Sequence, residues 1–157
     1  MEPGAPDSRH PLVELVDETL RLNGRLRSVF GEARAGLALN DSEHMVLSAV
    51  VEAQVPPTVA QIGRSLGHPR QLVQRAANAL RDADLIETFD NPDHKRAMLL
   101  RPTAKGEALK RRIDASADAI AAQLVPSLDP AQVAAAAAGL RAIRRQIEAH
   151  LRPVRRG

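Results

Sequence analysis

The chain is 157 residues long, with 44% apolar residues, no cysteine and a net charge of +3. That length suits one domain with a real core, and the apolar share excludes a wholly disordered chain. The missing cysteine excludes disulfides, thiolate metal sites and thiol redox sensing, and no apolar run is long enough to span a membrane.

Residues 1–11 hold three prolines, a glycine and acidic residues, with no apolar stretch of a signal peptide. They are expected to form a frayed arm, and the protein is expected to be soluble and cytoplasmic. Phe30 and Phe89 are the two aromatic residues. A core of Leu, Val, Ile and Ala suits closely approaching helices better than a β-sandwich. Residues 12–30 place Leu12, Leu15, Val16, Leu20, Leu26, Val29 and Phe30 at helical spacing. A break is expected over 31–39, with a short helical turn in it as the alternative.

Asn40-Asp41-Ser42-Glu43 is a helix start, with Asn40 and Glu43 as a capping box. The helix continues through Val51, and Pro56-Pro57 is expected to stop it. Thr58 caps a short helix carrying Val59, Ile62 and Leu66 on one face, ended by Gly67. His68-Pro69 restarts the chain, with the proline expected at the first helical position. The new helix turns Leu72, Val73, Ala76, Ala77 and Leu80 inward. Arg70, Gln71, Gln74, Arg75 and Asn78 fall on the other side.

Residues 85–90 and 96–101 are strand candidates. Asn91-Pro92-Asp93-His94 marks the turn between them, for a hairpin loop of about five residues. Thr103 caps a long helix reaching about Leu124, with Leu109, Ile113, Ala117, Ile120 and Leu124 as its stripe. Pro126 breaks it, and Asp129-Pro130 starts a last helix through Leu151. The alanine run 134–138 reflects helix propensity and tight packing, and 153–157 is a basic tail. Charge is unevenly placed. Residues 1–57 carry 5 Lys/Arg against 9 Asp/Glu, residues 58–111 carry 10 against 6, and residues 112–157 carry 7 against 4. A basic middle behind an acidic start fits a local polyanion site.

Helix, short helix, tight turn, second helix, hairpin: this order over 40–101 is a winged helix-turn-helix. The fold expected is mainly α with a small β-wing. A second helix docked rigidly by its apolar face can send its polar face into the major groove of DNA, where Arg, Gln and Asn match base edges. A polar helix face is ordinarily just a solvated one. The preceding short helix and the following hairpin turn the argument toward DNA. The candidate DNA-binding residues are therefore Thr58, Arg70, Gln71, Gln74, Arg75 and Asn78. His94, Lys95 and Arg96 join them at the basic hairpin tip.

The chain resembles the MarR family of bacterial transcriptional regulators. The resemblance spans nearly the whole length and is densest over 40–106. It is carried by Val46-Leu47, Thr58, Ile62-Gly63, Gly67, Val73 with Arg75, Leu80, the run Asn91-Pro92-Asp93-His94-Lys95-Arg96, and Pro102-Thr103-Ala104-Lys105-Gly106. It implies a single chain over 1–157 with a DNA-binding lobe at 40–106. Helices at 12–30 and 107–152 would interlock into a homodimer and bind a pseudo-palindromic double-stranded operator, as a repressor. It also implies a small aromatic or anionic effector between the dimer helices and the lobe, where Arg25, His44 and Met45 are the candidates.

The sequence departs from the family at the wing. The family's Asp falls at His94 and its first Arg at Lys95, which lacks the planar guanidinium fork. The expected wing contact is therefore with backbone phosphate. The family's glycine after the recognition helix falls at Asp84, a residue type that tolerates a left-handed cap. A serine-like cap gives way to Pro69, which could shift the helix start by a residue.

Neither a cofactor nor a metal is expected, since the five histidines show no metal-ligand spacing. Two other classes stay open. A winged helix could serve protein–protein contact without binding DNA. An enzyme would need a nucleophile or metal beside a base such as His44, and no such motif stands in the sequence.

Overall fold

Capping chemistry sets most of the helix boundaries in the computed structural model, which describes residues 9–34 and 39–151. Helix α1 (Pro11–Arg34) is followed by α2 (Asp41–Val51), α3 (Val59–Leu66) and α4 (Arg70–Asp82). Strands β1 (Ile86–Phe89) and β2 (Leu99–Pro102) come next. Helix α5 (Ala104–Leu124), a 3-10 turn (Val125–Ser127) and α6 (Pro130–Leu151) complete the chain.

At the start of α2, Asn40 Oδ1 accepts from Glu43 N at 2.9 Å while Asn40 N donates to Glu43 Oε2 at 3.1 Å. Thr58 makes the same box with Gln61 at the start of α3, at 3.2 and 2.8 Å. Gly67 closes α3 in the left-handed region, φ 66. Asp129 Oδ1 accepts from Ala131 N at 2.9 Å, and Pro130 is the first residue of α6.

Four expectations about boundaries are corrected. Helix α1 runs past Gly31 to Arg34, so the expected break begins later; residues 35–38 lie outside the described residues. Helix α2 ends at Val51, the last residue expected for it, but Pro56-Pro57 does not stop it, lying beyond it in the connection to α3, where Pro57 is tied down. Its carbonyl accepts from Leu100 N at 2.9 Å, which ties the connection before α3 to β2. Pro69 is the N-cap of α4 rather than its first residue, with ψ 139, and since proline has no side-chain acceptor the helix is left without a side-chain cap. The hairpin strands are shorter than expected and their loop covers residues 90–98. There the chain makes two successive turns, with His94 N on Asn91 O at 3.2 Å and Ala97 N on His94 O at 3.0 Å. Asn91 Oδ1 locks the first by accepting from Asp93 N. Arg96 consequently sits in the loop, outside the strand expected to start there. The arm and tail expected at 1–11 and 153–157 fall almost wholly outside the described residues.

The chain divides into two compact units, residues 1–117 and 118–157. In the first, one apolar cluster joins α2, α3, α4 and the hairpin. Val46, Leu47 and Val50 meet Ile62, Val73, Ala76, Ala77 and Leu80, with Leu85, Ile86 and Leu100 closing the far side. Leu72, expected inward, is half-buried, and Ile113 is the buried residue of the α5 stripe. The strands pair antiparallel, Ile86 opposite Pro102 and Phe89 opposite Leu99. The result is mainly helical with a two-stranded wing, the expected winged helix-turn-helix. The second unit holds the end of α5, the 3-10 turn and α6, whose residues are exposed or half-buried.

Candidate nucleic-acid interface

Helix α4 is fixed from behind. Val73 and Leu80 are 0% exposed, and Ala76 and Ala77 nearly so. The turn into it is tight because Gly63 has no side chain. A Cβ there would stand 3.0 Å from the His68 carbonyl oxygen. A helix held this firmly presents its outer side chains in defined positions. Arg70, Gln71, Gln74 and Arg75 are exposed and Asn78 is half-buried. Gln74 Nε2 donates to Asn78 Oδ1 at 3.1 Å, one turn apart on the same face.

A recess of about 160 Å³ lies between α4 and the hairpin. Arg70, Gln74, Asn78 and Arg81 line it from the helix, Thr88, Arg96 and Met98 from the hairpin, and Thr58 from the start of α3. The structure thus brings together five of the expected DNA-binding residues: Thr58, Arg70, Gln74, Asn78 and Arg96. Gln71 and Arg75 do not line it, and neither do His94 and Lys95 at the exposed loop tip. Thr58 is 9% exposed, and its oxygen serves the capping box. Arg81 and Thr88 were missed by sequence reasoning. Helical spacing could have found Arg81, seven residues after Gln74 and so on the same face.

The wing is stiffened by its own side chains. Arg101 Nε donates to Glu87 Oε1 at 2.6 Å across the register pair, and the guanidinium lies 4.8 Å over the Phe89 ring. Asp84, at the position of the family's glycine, takes φ 60. Its carbonyl accepts from Thr103 Oγ1 at 2.7 Å, linking the end of α4 to the start of α5.

On the other side of α2 lies a groove of about 520 Å³. His44, Met45 and Ser48 from α2, with Glu52 at its C-cap, face Gln61 and Leu66 from α3 across it. Two of the three candidate effector residues, His44 and Met45, therefore share one groove. Arg25 is exposed on α1 and does not line it. Beside Glu52 stands a residue to which sequence reasoning assigned no role. Lys110 is 7% exposed, and its ammonium bonds Asp114 at 2.6 and 2.7 Å and Glu52 at 3.1 Å. Burial alone would push this amine down. The hydrogen bonds and charges of Asp114 and Glu52 outweigh it and hold the pKa above the ordinary lysine value.

No helix among the described residues is long and apolar enough to cross a membrane, and no group of three His, Cys, Asp or Glu there could hold a metal ion.

Comparison with known proteins agrees with this architecture. The sequence pattern of the MarR family matches residues 38–97, which hold most of the residues that line the recess. The uncharacterized protein Rv2011c of Mycobacterium tuberculosis is 33% identical over 130 residues, covering 83% of this chain and 90% of its own. Among solved structures, a MarR mutant from E. coli complexed with operator DNA superposes with a TM-score of 0.71 at 18% identity, over 88% of this chain and 99% of that one. BpsR of Bordetella bronchiseptica, whose DNA binding is regulated by 6-hydroxynicotinic acid, superposes with a TM-score of 0.71 at 20% identity, over 83% and 98%. With the family pattern covering the helix-turn-helix and a relative matched over most of both chains, this protein belongs to the MarR family of transcription regulators.

Proposed function

We propose that this chain is a repressor that binds double-stranded DNA sequence-specifically, as a homodimer on a pseudo-palindromic operator. The observation that carries the reading is α4 itself. Four buried apolar residues lock it, and Arg70, Gln71, Gln74, Arg75 and Asn78 stand along its outer side. Those side chains have the donor and acceptor geometry of base edges. The homodimer is supported by apolar side chains left exposed on α1 and α6. The solved MarR complex with operator DNA supports the same use of the fold.

A gel shift against the chain's own promoter region tests it, with Arg75→Ala alongside. The unsubstituted chain is expected to shift a discrete promoter fragment. The variant is expected to lose about 1–3 kcal/mol of base discrimination, the worth of a bidentate contact. Undiminished specificity in that variant would remove α4 from base readout. Absence of salt-dependent binding would favour a winged helix used for protein contact.

We further propose that the groove of His44 and Met45 takes a small effector that releases DNA. BpsR, with 6-hydroxynicotinic acid, and Staphylococcus aureus MarR, in complex with salicylate and kanamycin, support a ligand-responsive reading. Among the described residues, the groove is lined by the Glu52 carboxylate and by no Lys or Arg. Of the aromatic and anionic chemistries expected, an aromatic body suits it better than an anion.

A further inference from the structure

Helix α4 turns about 100° per residue, and that rotation separates its polar residues into two sets. Measured from the centre of its buried stripe, Val73, Ala76, Ala77 and Leu80, the side chains of Arg70, Gln74 and Arg81 stand roughly 90° away. Gln71 and Arg75 stand roughly 180° away, straight out from the core. The first set lines the recess against the hairpin, as does Asn78, which stands roughly 150° away on the recess side, and the second does not. The recess gathers three guanidinium-bearing residues, Arg70 and Arg81 from the helix and Arg96 from the loop. Among the described residues, no carboxylate pairs with Arg70 or Arg96, and Arg81 has one exposed contact, to Asp82 at 3.3 Å. An exposed pair of this kind contributes little.

We propose that this recess clamps a DNA backbone phosphate, with Arg81 as a principal cation, and that base reading falls to Gln71 and Arg75. The proposal rests on the DNA-binding reading above and divides its labour. In the major groove the base edges lie on the floor, about 8.5 Å deep, while phosphates line the rim. A helix entering with its core-opposed face leading carries Gln71 and Arg75 to the floor. Its flank, with the hairpin beside it, meets the rim. The Gln74–Asn78 hydrogen bond fits this division, because it already engages one donor and one acceptor of the pair. A guanidinium gives a phosphate two parallel N–H donors, which fixes register along the duplex without reading sequence.

The test measures binding of the full chain by fluorescence anisotropy across a range of salt. Two duplexes are used: an operator selected from random sequence by the unsubstituted chain, and an unrelated duplex of equal length. Arg81→Gln is expected to weaken both by the same factor, leaving their ratio unchanged. The slope of log K against log salt should become shallower by about 0.9 per protomer, as one phosphate is no longer neutralised. Arg81→Lys, which keeps the charge, should keep the slope, and a thermal melt checks that both variants fold. An unchanged slope in Arg81→Gln, or a collapse of the operator-to-unrelated ratio, overturns the clamp while leaving DNA binding standing. Failure of the unsubstituted chain to bind either duplex in a salt-dependent way overturns the DNA-binding reading itself.

Discussion

Gly106 is the third residue of α5, and its amide donates to Thr103 Oγ1 at 3.0 Å. The Leu85 carbonyl presses against the same point, since it accepts from Thr103 N at 3.1 Å. A Cβ at residue 106 would lie 1.9 Å from that carbonyl oxygen and 2.9 Å from its carbon. Backbone cannot swing aside as the end of a long side chain can. Helix propensity alone would make alanine better than glycine here by about 1 kcal/mol. The collision should reverse that sign. Gly106→Ala is expected to lower stability by about 1–3 kcal/mol, the usual cost of forced overpacking, as read from the denaturant midpoint. A variant more stable than the parent would show that α5 and the strand entry do not meet as described. Asp84, one residue before Leu85, holds φ 60, a conformation costing most L-residues about 1–2 kcal/mol. The family resemblance marks both positions, and the close approach at Leu85 is the physical reason that the glycine of the Thr103–Gly106 motif is needed.

Between elements, the Lys110 ammonium is the link least expected from sequence. It joins α5 to Glu52, the C-cap of α2, and to Asp114 one turn on. Its raised pKa makes this link pH-dependent in a known direction. A pKa raised on folding contributes stability that is fully present below the unfolded lysine value of 10.5 and is lost as pH rises through the folded value above it. The chain has no Cys and no Tyr, so few other groups titrate there. Chemical unfolding of the parent should show stability falling above pH 10.5, and Lys110→Met should remove part of that fall while leaving the fold intact near neutrality. Equal pH profiles for the two proteins would mean the ion pairs add nothing net. Local signals of this kind divide what the sequence makes legible from what it hides. Asn40, Thr58, Gly67 and Asp129 announce their helix ends because capping involves neighbours within three residues. The core face of α4 follows from a 3.6-residue period. Lys110 meets Glu52 across a long stretch of chain, and no local pattern records such a contact. The hairpin strands fall a few residues short of expectation because two successive turns, the first locked by Asn91, take up chain that propensity assigns to strand. Pro69 takes the cap position, one residue before the expected place, with a ψ of 139 that lies outside the helical range.

At the scale of the whole molecule, apolar surface stays uncovered in both compact units. On α1, Leu12, Val13, Val16, Leu20, Leu22 and Leu26 are 42–65% exposed. On α6, Val133, Leu140, Ile147 and Leu151 are 39–71% exposed. Single exposed leucines need no explanation, but helical runs of them mark surfaces that a partner covers. A second copy of the chain is the partner that the proposed operator symmetry requires, because two recognition helices must reach half-sites about 34–36 Å apart. Light scattering at micromolar concentration should therefore give twice the mass of one chain. The double variant Leu20→Glu, Ile147→Glu places a charge in each exposed face, and like charges brought together by symmetry repel. It should run as a folded monomer. The functional consequence separates dimerisation from folding. The parent should bind a duplex with two half-sites far more tightly than one with a single half-site, while the variant should bind the two nearly alike. A parent that is monomeric, or a monomeric variant that still prefers the double site, would break the connection between these faces and operator symmetry.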